Sequence, residues 1–215
     1  MDLRSPAIVC AARPHGEVGV VVRLLTPSAG LVAAYVAGGR GRALRPVVMA
    51  GNVVDAQLRA RAPGGMPSAR LELLTSRGPY LSEPLPAAAI AWATALTATA
   101  LPEHHAYPAL YPALDAVLEA VCHAPSARGW APAMLAYEAL VLRELGYGRH
   151  FGAGVDGQRL LAARAPGEAG WAAFIEDFDA IGTALSRYLL ADRRGDVMGA
   201  REALRARLLR IAAAA

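Results

Sequence analysis

Few residues in this chain have the type and spacing needed for catalysis. Cys10 and Cys122 are the only cysteines and stand far apart in apolar stretches. A four-thiolate zinc site or a disulfide framework is therefore excluded, and both read as small buried hydrophobes. His104 and His105 follow Glu103 and invite a metal-ligand reading. Adjacent side chains on a regular element point apart, however, so these are expected as solvent-exposed loop histidines. Asp115 and Glu119 sit one helical turn apart like paired catalytic acids, but the wet face of a helix explains them more simply. All 22 basic residues are arginine, which excludes lysine-dependent chemistry. No phosphate loop, dinucleotide fingerprint, nucleophile elbow or metalloprotease helix is present. The reading is a protein without covalent catalysis, cofactor or metal. One motif remains: Gly38-Gly39-Arg40-Gly41-Arg42 is either a basic loop able to wrap a phosphate backbone or an ordinary turn.

The charge distribution narrows the choice. Residues 1–80 carry ten arginines against four acids, whereas residues 81–215 carry twelve against fourteen, so the net +4 is concentrated at the N-terminal end. Arginine presents a planar fork of donors suited to phosphate oxygens, and such a local excess marks a polyanion-binding module. At 215 residues, with 55% hydrophobic and 19% charged residues, the chain can bury a core as one large domain or two small ones. No secretory leader pattern opens it, so a cytoplasmic location is expected. The uncharged run Leu85–Leu101 is diluted by alanine and threonine and reads as a buried helix, not a membrane span.

The elements that must position these residues fall into two blocks. Alternation over Val18–Leu25, the break Thr26-Pro27-Ser28-Ala29-Gly30 and the resumption at Leu31–Ala37 predict a hairpin. Pro6–Ala12, Val54–Arg61 and Arg70–Thr75 add strands, about five in all, spaced as in a small barrel. From Ser82–Pro86 the period becomes 3.6. Helices are expected near 86–101 and 107–123, then from Trp130 to Leu145, from Trp171 to Tyr188, and after an N-cap at Asp196. Trp130, Tyr137, Trp171, Phe174 and Phe178 recur at helical spacing and should pack the bundle. The fold class expected is α+β: a small β module over 1–80, then an all-α helical domain over 81–215.

Several segments together resemble a known family. Gly16-Glu17, Val20–Thr26, Gly30, Val36-Ala37-Gly38-Gly39-Arg40 and Leu44-Arg45-Pro46 follow the N-terminal pattern of the RecO recombination mediators. Pro132–Gly148 is similar to the helix of that family that ends in Gly-Tyr. The resemblance implies an N-terminal OB-fold that binds single- and double-stranded DNA. It also implies strand annealing and, with RecR, assistance in loading RecA onto strands coated by single-strand-binding protein. Many members carry a cysteine-based zinc site after the Gly-Tyr helix. Residues 147–170 hold no cysteine, so that region reads as degenerate and zinc-free.

The expected phosphate track is Arg23, Arg40, Arg42, Arg45, Arg59 and Arg61, with Arg40, Arg42 and Arg45 on a mobile loop. Tyr35 and Tyr80 are the only aromatics of residues 1–80, so counterion release should outweigh stacking. Where the family's helix supplies arginine for the acidic tail of single-strand-binding protein, this chain has Leu135 and Ala136, with Arg143 two turns on. Leu135 and Arg143 are therefore the expected partner-binding positions, with weak tail binding. The alternative is a protein-interaction barrel whose arginines serve only solubility.

Overall fold

The computed structural model describes residues 2–148 except 61 and 63, residues 170–191, and residues 196–213. Its first part is five strands: β1 Asp2–His15, β2 Gly19–Thr26, β3 Gly30–Val36, β4 Val53–Arg59 and β5 Ser68–Thr75. β1 pairs antiparallel with both β2 and β4, β2 with β3, and β4 with β5. The sheet closes in the order β1-β2-β3-β5-β4 through a single parallel pair, Tyr35 with Ser68. That order is the Greek-key arrangement of an OB-type barrel.

The expected hairpin is present, and two contacts fix it. The Thr26 hydroxyl accepts from the Ala29 amide and donates to the Gly30 carbonyl. Gly30 has φ +66°, and a Cβ there would stand 2.0 Å from the His105 carbonyl oxygen, so only glycine fits.

Alternation sends Ala7, Val9, Val22, Leu24, Val32, Ala34, Val54, Ala56 and Leu58 into the barrel lumen. The 37–52 connection caps it with Val48. The opposite parity of β1, β2 and β3 is not wet everywhere. Ile8, Cys10, Leu25 and Leu31 belong to the core of the helical part, so one flank of the barrel is covered by helices. Burial pushes the Cys10 thiol up to about 12, which makes it an inert apolar side chain.

After a short 3₁₀ turn at Gly78–Ser82 come α1 Pro84–Ala100, α2 Leu110–His123, α3 Ala127–Glu144, α4 Gly170–Ala184 and α5 Val197–Ala213. The second helix starts three residues later than its periodicity predicts, since Pro108 disfavours helical backbone in the residue before it. The uncharged run forms α1, and no helix among the described residues is long and apolar enough to cross a membrane. Thr94 and Thr97 are buried there, each hydroxyl donating to the carbonyl four residues earlier.

One ion pair sits inside the helical core. Glu138 of α3 and Arg201 of α5 are 0% and 1% exposed and meet in bidentate fashion, at 3.0 and 2.7 Å. The Trp92 indole of α1 donates to the same carboxylate at 2.6 Å, and Arg201 also donates to the Phe178 carbonyl of α4. Its guanidinium lies 3.6 Å from the centroid of the Phe178 ring. Four helices thus converge on one buried charge pair, and each apolar stripe seen in the sequence packs around it.

Removing one partner leaves the other charge buried and unmatched, so Glu138→Ala should cost about 3–5 kcal/mol in urea denaturation. The double replacement Glu138→Leu with Arg201→Met should cost less than either single change. A double variant as unstable as the sum of the singles would contradict this account of the core.

Candidate nucleic-acid interface

The barrel's outer surface divides at β1. On the covered flank lies Arg23 of β2, whose guanidinium donates to the Ala98 carbonyl at the end of α1 and pairs with Glu103 at 2.9 Å. It is therefore a staple between barrel and helices. Nor does it share a face with Arg59: Arg23 lies opposite Ala11 of β1, whereas Arg59 lies opposite Asp2 at the other end of that strand. Arg23 therefore does not join Arg59 in the expected track, because β1 separates β2 from β4 and is long enough to keep them apart. Arg61 lies outside the described residues.

The uncovered flank carries the charge. Strand pairing places Arg13, Val21, Tyr35, Ser68, Arg59 and Asp2 in one row across β1, β2, β3, β5, β4 and back to β1. Directly opposed residues share a face, and this face is outward, because Val20, Val22, Ala34, Val36 and Leu58 beside them are buried. The adjacent row is Arg4, Gln57 and Arg70. Arg13, Arg59 and Arg70 are exposed, and Arg13, which with Arg23 also lines the cleft between the barrel and α1, marks the border of the covered flank. Arg59 has only a loose contact with Asp2 at 3.8 Å, whereas Arg4 is held by Asp55 at 2.6 Å. Arg13 and Arg70 were not singled out from the sequence. The signal that finds them is strand register, and one sequence does not fix register between strands that are distant along the chain.

Arg40, Arg42 and Arg45 are exposed, and Arg40 borders this face at the β1–β2 tip. Their loop is not the mobile segment expected. It winds through successive turns, with Gly41, Arg45 and Val48 amides donating to Gly38, Gly41 and Leu44 carbonyls. Leu44, Val47 and Val48 press into the barrel core and anchor it. Arg40 is lashed to the β1–β2 tip: its amide donates to Val18 and its side chain to the Glu17 carbonyl at 2.8 Å. Positive charge is therefore fixed along the rim.

Other candidates have different roles. Asp115 and Glu119 receive the buried guanidinium of Arg77 at 2.8 and 2.7 Å, so they are more than a wet helix face. His104 and His105 are exposed, and among the described residues no cluster of His, Cys, Asp and Glu could hold a metal ion. Most of the region expected to be degenerate and zinc-free, residues 149–169, lies outside the described residues. Leu135 is 2% exposed in the helical core and cannot meet a partner from there. This corrects its expected partner-binding role, and the cause is that α3 is buried over most of its circumference. Arg143 is exposed and contacts the neighbouring Glu144 at 3.0 Å.

A five-stranded OB-type barrel with an arginine-bearing outer face, joined to a helical unit, defines a fold class. Family models narrow the class. The one described as Recombination protein O N terminal matches residues 1–77, and Recombination protein O C terminal matches 82–165. The chain belongs to the RecO family. It is 39% identical over 150 residues to the DNA repair protein RecO of Caulobacter vibrioides (strain NA1000 / CB15N), covering 69% of this chain and 60% of that protein. It is 38% identical over 154 residues to DNA repair protein RecO of Rhodospirillum centenum, covering 71% and 60%. With DNA repair protein RecO of Agrobacterium fabrum it shares 35% over 148 residues, covering 69% and 57%. The match spans about three fifths of the length of these curated relatives.

The placement of the α3 residues gives a direct test. Leu135→Ala should lower stability by about 2–5 kcal/mol in urea denaturation, as a buried leucine truncation does. Arg143→Ala should leave the melting midpoint where it is. A Leu135→Ala variant as stable as the parent would return that residue to the surface.

Proposed function

We propose that this chain is a DNA repair and recombination mediator that works by binding, in the cytoplasm, without covalent chemistry. It holds single- and double-stranded DNA across the uncovered flank of the barrel, anneals complementary strands and, with RecR, assists RecA loading. The observation that supports this most is the outward row from Arg13 through Tyr35 to Arg59, bordered by Arg40, with Arg42 and Arg45 exposed on the same loop, on an OB-type barrel of a RecO-family chain. OB-folds take oligonucleotides on this face, between the β1–β2 and β4–β5 loops. The division at residue 80 is part of the reading: strand contact belongs to the barrel and partner contact to the helices. The acidic tail of single-strand-binding protein finds weak purchase on α3, where Leu135 is buried and Arg143 is engaged by Glu144.

The binding is electrostatic in origin, so it must respond to salt. Logarithmic affinity for a single strand falls with logarithmic salt concentration at about −0.7 per phosphate neutralised. Replacing Arg40, Arg42 and Arg45 by alanine should weaken binding alike for all sequences and flatten that slope by about 2. Titration of labelled single-stranded DNA at several salt concentrations reads both quantities. Unchanged affinity and slope would remove these arginines from the track. Absence of binding at low salt would favour a protein-interaction barrel.

A further inference from the structure

Tyr35 stands in the middle of the basic row, and its setting is specific. It lies two strands from Arg13 on one side and two from Arg59 on the other, about 10 Å each way at 4.7–4.9 Å per strand. Its ring lies down on Gly19: a Cβ at that position would come within 2.4 to 2.7 Å of Cε2, the hydroxyl oxygen and Cζ. His15, paired with Gly19, meets the ring edge-on, with centroids 5.9 Å apart and planes 75° from each other. The ring is held from below by bare backbone and from one side by an imidazole, and it remains partly exposed. Val21 and Ser68, its direct neighbours in the row, are not aromatic. The other aromatic of residues 1–80, Tyr80, is elsewhere, against His123 at the end of α2.

This arrangement suits one task. Guanidinium groups recognise phosphates on single and double strands alike, so the arginine row by itself draws no distinction between them. A flat ring offers stacking, which requires a base whose face is free. Bases in a duplex have both faces covered by their neighbours, whereas an unpaired strand can present one.

We propose that Tyr35, bedded on Gly19 between Arg13 and Arg59, stacks one unpaired nucleobase and so sets the preference of the basic face for single strands. The inference rests on the DNA-binding reading above and adds a specificity-determining residue to it. Affinity still comes mainly from phosphate contacts. Gly19 is a positioning residue: it touches no DNA but leaves the space in which the ring lies.

The experiment is fluorescence anisotropy of the full chain with a labelled oligothymidine and with a labelled duplex of the same length, at one fixed salt concentration. Tyr35→Leu should weaken single-strand binding by about fivefold or more, with duplex affinity within about twofold of the parent. Tyr35→Phe, which keeps the ring, should retain the parental ratio. Gly19→Ala should lower the ratio like Tyr35→Leu, since its backbone accepts alanine and only the ring must move. Retained duplex affinity certifies that each variant is folded. If the parent binds both probes and Tyr35→Leu keeps the ratio or lowers both affinities equally, the inference falls while the DNA-binding reading stands. If the parent binds neither probe, both fall.

Discussion

The placement of barrel against helices depends on one buried guanidinium. Arg77 follows β5 and is 1% exposed. It donates to the Gly51 carbonyl in the barrel-capping loop and to Asp115 and Glu119 on α2. Its amide donates to the Asn52 side chain, whose own amide group donates to the Pro46 and Val47 carbonyls. The loop carrying Arg40, Arg42 and Arg45 is thereby tied to the second helix through Asn52 and Arg77. A charge this deeply buried persists because carboxylates and carbonyls surround it. Gly51 must be glycine for the contact to exist, with φ +89° and Ile90 only 2.8 Å from where a Cβ would stand.

That constraint determines which flank of the barrel is free. Once α1 is packed against β1 and β2 beside Arg23, Ile8, Cys10, Leu25 and Leu31 become core and Arg23 becomes a staple. Outward positions on the remaining surface keep their water, and among the described residues there the arginines lack tight carboxylate partners apart from Arg4. A surface of this kind pays little desolvation when phosphates replace water and gains by releasing counterions. The charge asymmetry of the sequence thus becomes a geometric asymmetry of the fold.

Periodicity made most of this architecture legible. The hairpin at Thr26–Gly30, the five strands, the change of period near residue 84 and the aromatic stripes of α3 and α4 all follow from local patterns that the packed structure respects. What local patterns could not supply was pairing between strands distant along the chain. Arg23 and Arg59 look equivalent in sequence, each an arginine on an alternating strand, yet one is spent on Ala98 and Glu103 while the other faces solvent. Arg13 and Arg70 were hidden for the same reason, and so was the bed that Gly19 makes for Tyr35. Leu135 was misread because a family-matched position says nothing about burial, and α3 turns that side of itself inward.

The central claim is that DNA lies on the uncovered flank of the barrel and that the helices do not form the strand-binding surface. Amide hydrogen exchange of the full chain, with and without a saturating short single-stranded oligonucleotide, tests it most directly. Protection should appear around residues 13–21, 35–45, 57–59 and 68–70, with α2 and α3 unchanged. Protection confined to the helical part, or none at all at saturation, would contradict the account.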